Sequence, residues 1–276
     1  MDINKVSIEI GLEKPVKLLH ITDTHLSYAD ERDDERKRKL AIDRQKTFND
    51  ANDRILNELV EMIEYGNQNC DMIVHTGDLI DFISAENLEK ARWAMDKADN
   101  LLFIAGNHEF SRYVGEAWED IAYKMTNYQY VHHFLKTDLL FSSREVGGVN
   151  VVGVDNGYYH FEKWQLWRLK REVEKGLPIV LMMHNPLCMP VEGEKLMGVV
   201  GCDEEYLLDY PEYRAVQQRP TQETLEFIDY INEEPLIKCV LSGHLHKHYE
   251  GTLESGKRQI ITGLGSDGVM SEITLY

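Results

Sequence analysis

The chain has 276 residues, 43% of them hydrophobic and 9% aromatic, with a formal net charge of −18. That length suits one large domain or two small ones, and the composition argues against general disorder. The acidity disfavours long nucleic acid and anionic membranes as partners, so a phosphate-binding site here needs its own local positive charge.

In chain order, residues 6–10 (VSIEI) and 16–22 (VKLLHIT) read as strands. Residues 27–42 form a dense mixed-charge run, read as a solvated face or as a lid. Over residues 43–65, Ile55, Leu56, Leu59, Val60 and Ile63 recur at helical spacing. Residues 71–76 (DMIVHT) read as a strand, 85–98 as a helix, 101–105 (LLFIA) as a strand and 113–128 as a helix. Residues 149–155 are a strand, and 161–175 a charged amphipathic helix stopped by Gly176. Residues 178–184 are a strand. Residues 186–220 hold four of the seven prolines without a clear period, and form a second candidate lid or substrate-selecting insert. Residues 221–232 read as a helix with Thr221 and Thr224 as candidate caps, and 237–243 as a strand. The remainder reads as antiparallel strands turning at 254–257, and the N-terminal pair is a further candidate for antiparallel pairing. Strands alternating with helices predict a layered α/β fold, and no internal boundary divides the single domain 1–276.

Cys70, Cys188, Cys202 and Cys239 form no C-x-x-C pair, which predicts neither a disulfide framework nor a zinc knuckle and favours a cytoplasmic setting. No secretory leader pattern precedes residue 16, and no apolar run approaches the length of a membrane span.

Five strand ends carry the chemistry. They deliver Asp23 and His25; Asp78 and Asp81; Asn107, His108 and Glu109; His184; and His244 and His246. Ligands of an α/β sheet bind beyond the carboxyl ends of its strands. Carboxylates, imidazoles and an amide without thiolate suit zinc, manganese or iron(II). One ion needs about four to six ligands. This set exceeds that, which predicts two ions sharing an aspartate. The i, i+2 spacing of Asp23/His25 and His244/His246 predicts extended segments. Two divalent ions with two aspartates and a bridging hydroxide keep a small positive charge, enough to receive a phosphate ester.

The ordered blocks D-x-H (23–25), G-D (77–78), G-N-H-E (106–109), H (184) and G-H-x-H (243–246) resemble the calcineurin-like metallophosphoesterase superfamily. The resemblance implies a four-layer αββα sandwich of mixed sheets with a metal site at the strand C-terminal ends. It implies metal-dependent phosphate-ester hydrolysis, most of all of phosphodiesters, by a hydroxide activated between two divalent ions (Mn, Fe or Zn). Asp23, His25 and His246 would hold one ion, Asn107, His184 and His244 the other, and Asp78 both. His108 would face the leaving group as general acid, oriented by Asp81 or, second, Glu109. Phe82 stands where the protein serine/threonine phosphatases carry a phosphate-gripping arginine. Asp81 stands where the purple acid phosphatases carry a tyrosine ligand. The D-T-H-L form of the first block is similar to the bacterial cyclic-nucleotide phosphodiesterase branch.

Among the remaining residues, Asn107, His108 and, with Asn156, His160 are candidates for substrate contact. His20 and His75 read as packed strand histidines, with His75 also a candidate for backing the site. His132 and His133 read as loop residues, His248 as exposed, and Trp164 and Trp167 as core. The expected partner is a small phosphorylated molecule, a nucleotide among the candidates. A phosphomonoesterase and a non-catalytic scaffold on the same fold are the alternatives. A nuclease is disfavoured by the charge.

Overall fold

The computed structural model describes residues 1–115, 121–191 and 194–276. Its elements run β1 (Asp2–Ile8), β2 (Val16–Ile21), α1 (Glu35–Thr47), α2 (Arg54–Asn69), β3 (Met72–His75), α3 (Ala85–Met95), β4 (Leu101–Phe103), α4 (Ile121–Leu135), β5 (Phe141–Val146) and β6 (Val149–Val154). They continue through α5 (Lys163–Val173), β7 (Ile179–Met182), α6 (Glu204–Leu207), α7 (Glu212–Gln218), α8 (Gln222–Glu233), β8 (Ile237–Ser242), β9 (Tyr249–Thr252), β10 (Arg258–Ile261) and β11 (Val269–Leu275). One sheet has the order β1-β11-β2-β3-β4 and the other β5-β6-β7-β8-β10-β9.

Single-residue alternation of buried side chains sets the layers. Leu18, Met72, Val74, Leu102, Val151, Val180, Met182, Cys239, Leu241 and Ile260 share one core, which lies between the two sheets. Their neighbours Leu19, Ile73 and Phe103 point the other way and pack with Ile55, Leu59 and Ile63 of α2. Val152, Leu181 and Val240 do the same on the second sheet, against Leu169 of α5 and Phe227 and Ile231 of α8. Strands buried on both faces explain their near-continuous apolar sequences. The result is α/β/β/α, with both sheets mixed.

Several local expectations need correction. Residues 43–65 are two helices. Asn49, Asn52 and Asp53 adopt left-handed backbone (φ 52°, 57° and 56°), which Asn and Asp tolerate best after glycine, and they break the run. The second half of the mixed-charge segment is therefore helical, started by the Asp34 carboxylate accepting from Lys37 N at 2.8 Å. The helix expected over 113–128 runs instead from Ile121 to Leu135, so His132 and His133 are helical; residues 116–120 of that expectation lie outside the described residues. Strand β5 escaped notice because only Phe141 in it is buried, as befits an edge. Trp164 and Trp167 are 40% and 65% exposed, because α5 buries Gln165 and Leu169 instead. β11 inserts between β1 and β2, parallel to the first and antiparallel to the second, so the N-terminal strands do not pair with each other. Thr221 caps α8 by accepting from Thr224 N. Among the described residues, no helix is long and apolar enough to cross a membrane.

Candidate metal centre

β2, β3 and β4 run parallel, as do β7 and β8 in the facing sheet. Their carboxyl ends carry the loops that bear the polar residues. The loops after β2 and β3 are zipped together: Asp23 N donates to Gly77 O (3.0 Å), His25 N to Asp78 O (2.9 Å) and Leu26 N to Leu79 O (3.0 Å). Asp23, His25, Asp78, His244 and His246 all adopt left-handed backbone, with φ between 49° and 69°. The D-x-H and H-x-H segments are thus tight loops, not extended strands, and loop curvature turns both side chains of each pair inward. Strained non-glycine backbone held by surrounding structure is characteristic of functional sites. Glycine is required where the loops cross: a Cβ on Gly106 would lie 2.2 Å from Asp78 Oδ1, and one on Gly243 would lie 2.0 Å from Thr22 Oγ1.

Asp23, His25 and His246 converge in one group. The Nε2 atoms of His25 and His246 face each other at 3.0 Å. Asp23 Oδ1 lies 3.3 Å from the latter and 3.7 Å from the former. That oxygen is buried without a hydrogen-bond partner among the described residues. Asp78, His184 and His244 form a second group. His184 Nε2 is 3.2 Å from Asp78 Oδ2, 3.2 Å from Asn107 Oδ1 and 3.2 Å from His244 Nδ1. Asp78 Oδ2 is also 3.9 Å from His25 Nε2, so one oxygen lies beside both groups. A buried, orphaned carboxylate oxygen faced by imidazole nitrogens, in a set free of thiolates, fits divalent cations of the N/O-preferring kind.

The nitrogens of His25, His184 and His244 that turn away from the centre are engaged. His25 Nδ1 meets Asp81 Oδ1 (3.0 Å), His184 Nδ1 meets Thr76 O (2.9 Å), and His244 Nε2 meets the Tyr159 hydroxyl (2.8 Å). Such outer contacts fix the ring orientation of metal-binding histidines. Asp81 itself is gripped by Arg44, whose Nε and Nη2 donate to it at 2.6 and 2.9 Å. Arg44 and Tyr159 come from remote segments and gave no local signal in the sequence.

Several expectations shift here. The Asp81 carboxylate serves His25 first, and lies 3.3 Å from His108 Nδ1. His108 Nδ1 instead meets the Asp81 backbone carbonyl at 2.6 Å. Glu109 does not orient His108: its carboxylate accepts from the backbone N–H groups of Asp78, Leu79, Ile80 and Gly106. His160 lines a separate cavity with Lys124, Asp155 and Trp164, and Asn156 is spent on the backbone of Asn185. His20 and His75 are held by Thr76 and Thr24 hydroxyls, and burial lowers both to about 3, which keeps them neutral. His248 reaches Glu250 at 3.3 Å.

The electrostatics of the cage favour positive charge. Burial opposes the His25 imidazolium, but contacts with Asp23 and Asp81 and the charge of Asp78 outweigh it and raise it to about 10. His184 rises to about 9 against burial, through the charge and hydrogen bond of Asp78. His244 falls to about 3, by burial and then the His184 charge. Asp78 and Asp81 stay well below the usual carboxylate range despite burial, through the surrounding imidazoles. Burial and the Asp78 charge push Glu109 up to about 7, while its N–H donors pull the other way. Burial pushes the Tyr159 phenol up to about 12, opposed by the Arg214 charge.

In metal-free protein the surrounding carboxylates favour the protonated forms of His25 and His184, and a divalent ion that binds there displaces a proton from each. Titration calorimetry of Mn²⁺ into metal-free protein, in buffers of different ionisation enthalpy, is expected to show about two protons released per chain. A release near zero would mean the imidazoles are already neutral.

The centre opens on a cavity of about 480 Å³ whose lining includes Asp78, Asn107, His108, His246, Tyr213 and Arg214. A family model described as calcineurin-like phosphoesterase matches residues 16–248. No curated protein matches the sequence. Among solved structures, the chain is similar to a dimetal phosphatase from Danio rerio, with 13% identity, 95% of this chain and 94% of the other covered, and a TM-score of 0.54. It also matches a phosphopantetheinyl hydrolase from Mycobacterium tuberculosis at 13% identity, 90% coverage of both chains and a TM-score of 0.44. The first of these likenesses shows the fold.

Proposed function

Because the chain belongs to the calcineurin-like phosphoesterase family, whose chemistry is metal-dependent hydrolysis of phosphate esters, we propose that it cleaves phosphodiesters at a dinuclear centre. Asp23, His25 and His246 would hold one ion, and Asn107, His184 and His244 the other. The observation that carries this reading is Asp78 Oδ2, which lies 3.2 Å from His184 Nε2 and 3.9 Å from His25 Nε2 and so can serve both. Bound divalent ions, manganese, iron or zinc, supply Lewis acidity at the phosphoryl oxygens and a nucleophile near neutral pH.

The chain's own residues do the rest. His108 Nδ1–H donates to the Asp81 carbonyl, which fixes the ring with Nε2 on the cavity side, 3.9 Å from Asp78 Oδ2. As imidazolium, His108 gives its Nε2 proton to the leaving alkoxide and regains one from solvent. The Asp81 carboxylate lies 3.3 Å from the same Nδ1. Asp78 Oδ1 accepts the His108 backbone N–H at 2.9 Å, so the acid is tied to the shared ligand. A diester is favoured over a monoester because buried Phe82 occupies the place of a phosphate-gripping arginine, and one negative charge matches the small positive charge of the loaded centre. The substrate is a small molecule, with nucleotides in the class, since the cavity is bounded and the chain's charge of −18 repels polynucleotides. Four unpaired thiols support a cytoplasmic setting.

Release of nitrophenolate from bis-p-nitrophenyl phosphate with Mn²⁺ tests the reading. His108→Ala is expected to cost about 10²- to 10⁴-fold in kcat while the protein keeps its metal. A metal-loaded wild type that leaves the diester intact would sink the diesterase reading. A His108→Ala rate equal to wild type would remove His108 from the chemistry.

A further inference from the structure

Part of the cavity wall comes from α7. Tyr213, Arg214 and Gln217 line it together. Arg214 is the only lysine or arginine among the described lining residues. Its Nη1 donates to Gln217 Oε1 at 3.2 Å, and its guanidinium carbon lies 5.6 Å from the Tyr213 ring centroid. Among the described residues, no carboxylate pairs with it. In a chain with 48 acidic and 30 basic residues, a half-buried guanidinium whose partners are a neutral amide and the Tyr159 phenol is left without a counter-charge.

The segment that carries α7 is fixed to the centre. Tyr206 and Tyr210 both donate their hydroxyls to Leu196 O, at 2.9 and 2.8 Å. A Cβ on Gly198 would lie 2.9 Å from His244 Nε2, so this stretch rests against a ring of the cage. Gln217 and Gln218 are buried and anchor the inner face of α7. Arg214 is therefore held in place by a packed wall.

We infer that Arg214 is the specificity residue of this centre and binds a second phosphate of the substrate, carried apart from the scissile phosphodiester. The inference rests on the diesterase reading for the identity of the first phosphate. The guanidinium presents two parallel N–H donors that match a phosphate bidentately. The metal cage handles the reacting group, and Arg214 selects molecules that carry another anion within the span of the cavity.

Calorimetric binding of two thymidine nucleotides to the Mn²⁺-loaded full chain tests this. Thymidine 3′,5′-bisphosphate is expected to bind about tenfold more tightly than thymidine 5′-monophosphate, as a charge-assisted contact implies. Arg214→Gln is expected to erase that gap, and Arg214→Lys to keep part of it; melting curves confirm that each variant is folded. Equal affinities in the wild type would overturn the inference. So would an Arg214→Gln that weakens both nucleotides by the same factor, since Arg214 would then grip the phosphate at the cage. Turnover of bis-p-nitrophenyl phosphate separates the two claims: a gap without turnover keeps the second-phosphate site and rejects the diesterase, and turnover without a gap does the reverse.

Discussion

Glu109→Ala is expected to lower stability by about 4 kcal/mol, since four buried donors lose their acceptor at about 1–3 kcal/mol each and entering water recovers only part. Glu109 is fully buried, and its two oxygens divide the work evenly. Oε2 accepts from Asp78 N (2.9 Å) and Gly106 N (2.7 Å), while Oε1 accepts from Leu79 N (2.7 Å) and Ile80 N (3.2 Å). These N–H groups belong to the two loops that place Asp78 and Asn107. Glu109 thus moulds the backbone that aims the cage. For a chain of this size the loss corresponds to roughly 8–16 °C in Tm. Glu109→Gln keeps the volume but turns an amide NH₂ against one pair of donors, so about half the penalty is expected. Thermal melts at pH 8, where the carboxylate is ionised, read both. A shift below about 3 °C for the alanine variant would mean the loops hold their shape alone.

The layer structure was legible in the sequence because strands buried on both faces leave continuous apolar runs, and each run ends in the polar block it delivers. The block order was likewise readable, and the structure gathers Asp23, His25 and His246, and Asp78, His184 and His244, as two groups. What escaped is what depends on contacts distant in sequence. Arg44 lies mid-helix, and nothing local says that it reaches Asp81, 37 residues away. Tyr159 is separated from His244 by 85 residues. Glu109 looked like one more polar residue of a strand-end block, because its four backbone partners exist only once the loops have folded. The break at residues 48–53 was masked by helical spacing on both sides of it. The tryptophans of α5 show the converse error, where correct periodicity did not reveal which face is covered.

Asp78→Asn is expected to lower kcat/KM for bis-p-nitrophenyl phosphate by about 10³-fold, roughly 4 kcal/mol, and to weaken both metal sites together. The carboxylate has two separate tasks: Oδ1 accepts the His108 N–H at 2.9 Å, and Oδ2 lies beside His184 and His25. Asparagine has one oxygen. Keeping the His108 bond turns the amide nitrogen, which cannot ligate, toward the two histidines. Turning the oxygen inward sets the NH₂ against the His108 N–H. Either choice damages the centre, and the lost charge also removes the main support for the raised His184. His246→Ala is the informative contrast. Its side chain is 41% exposed and touches only the group around Asp23, so it is expected to release one ion and leave the ion held by Asn107, His184 and His244. Metal content per chain, measured after dialysis alongside the rates, separates the cases. If Asp78→Asn loses one ion and keeps the other at wild-type affinity, Asp78 is not shared, and the dinuclear reading must give way to two independent sites.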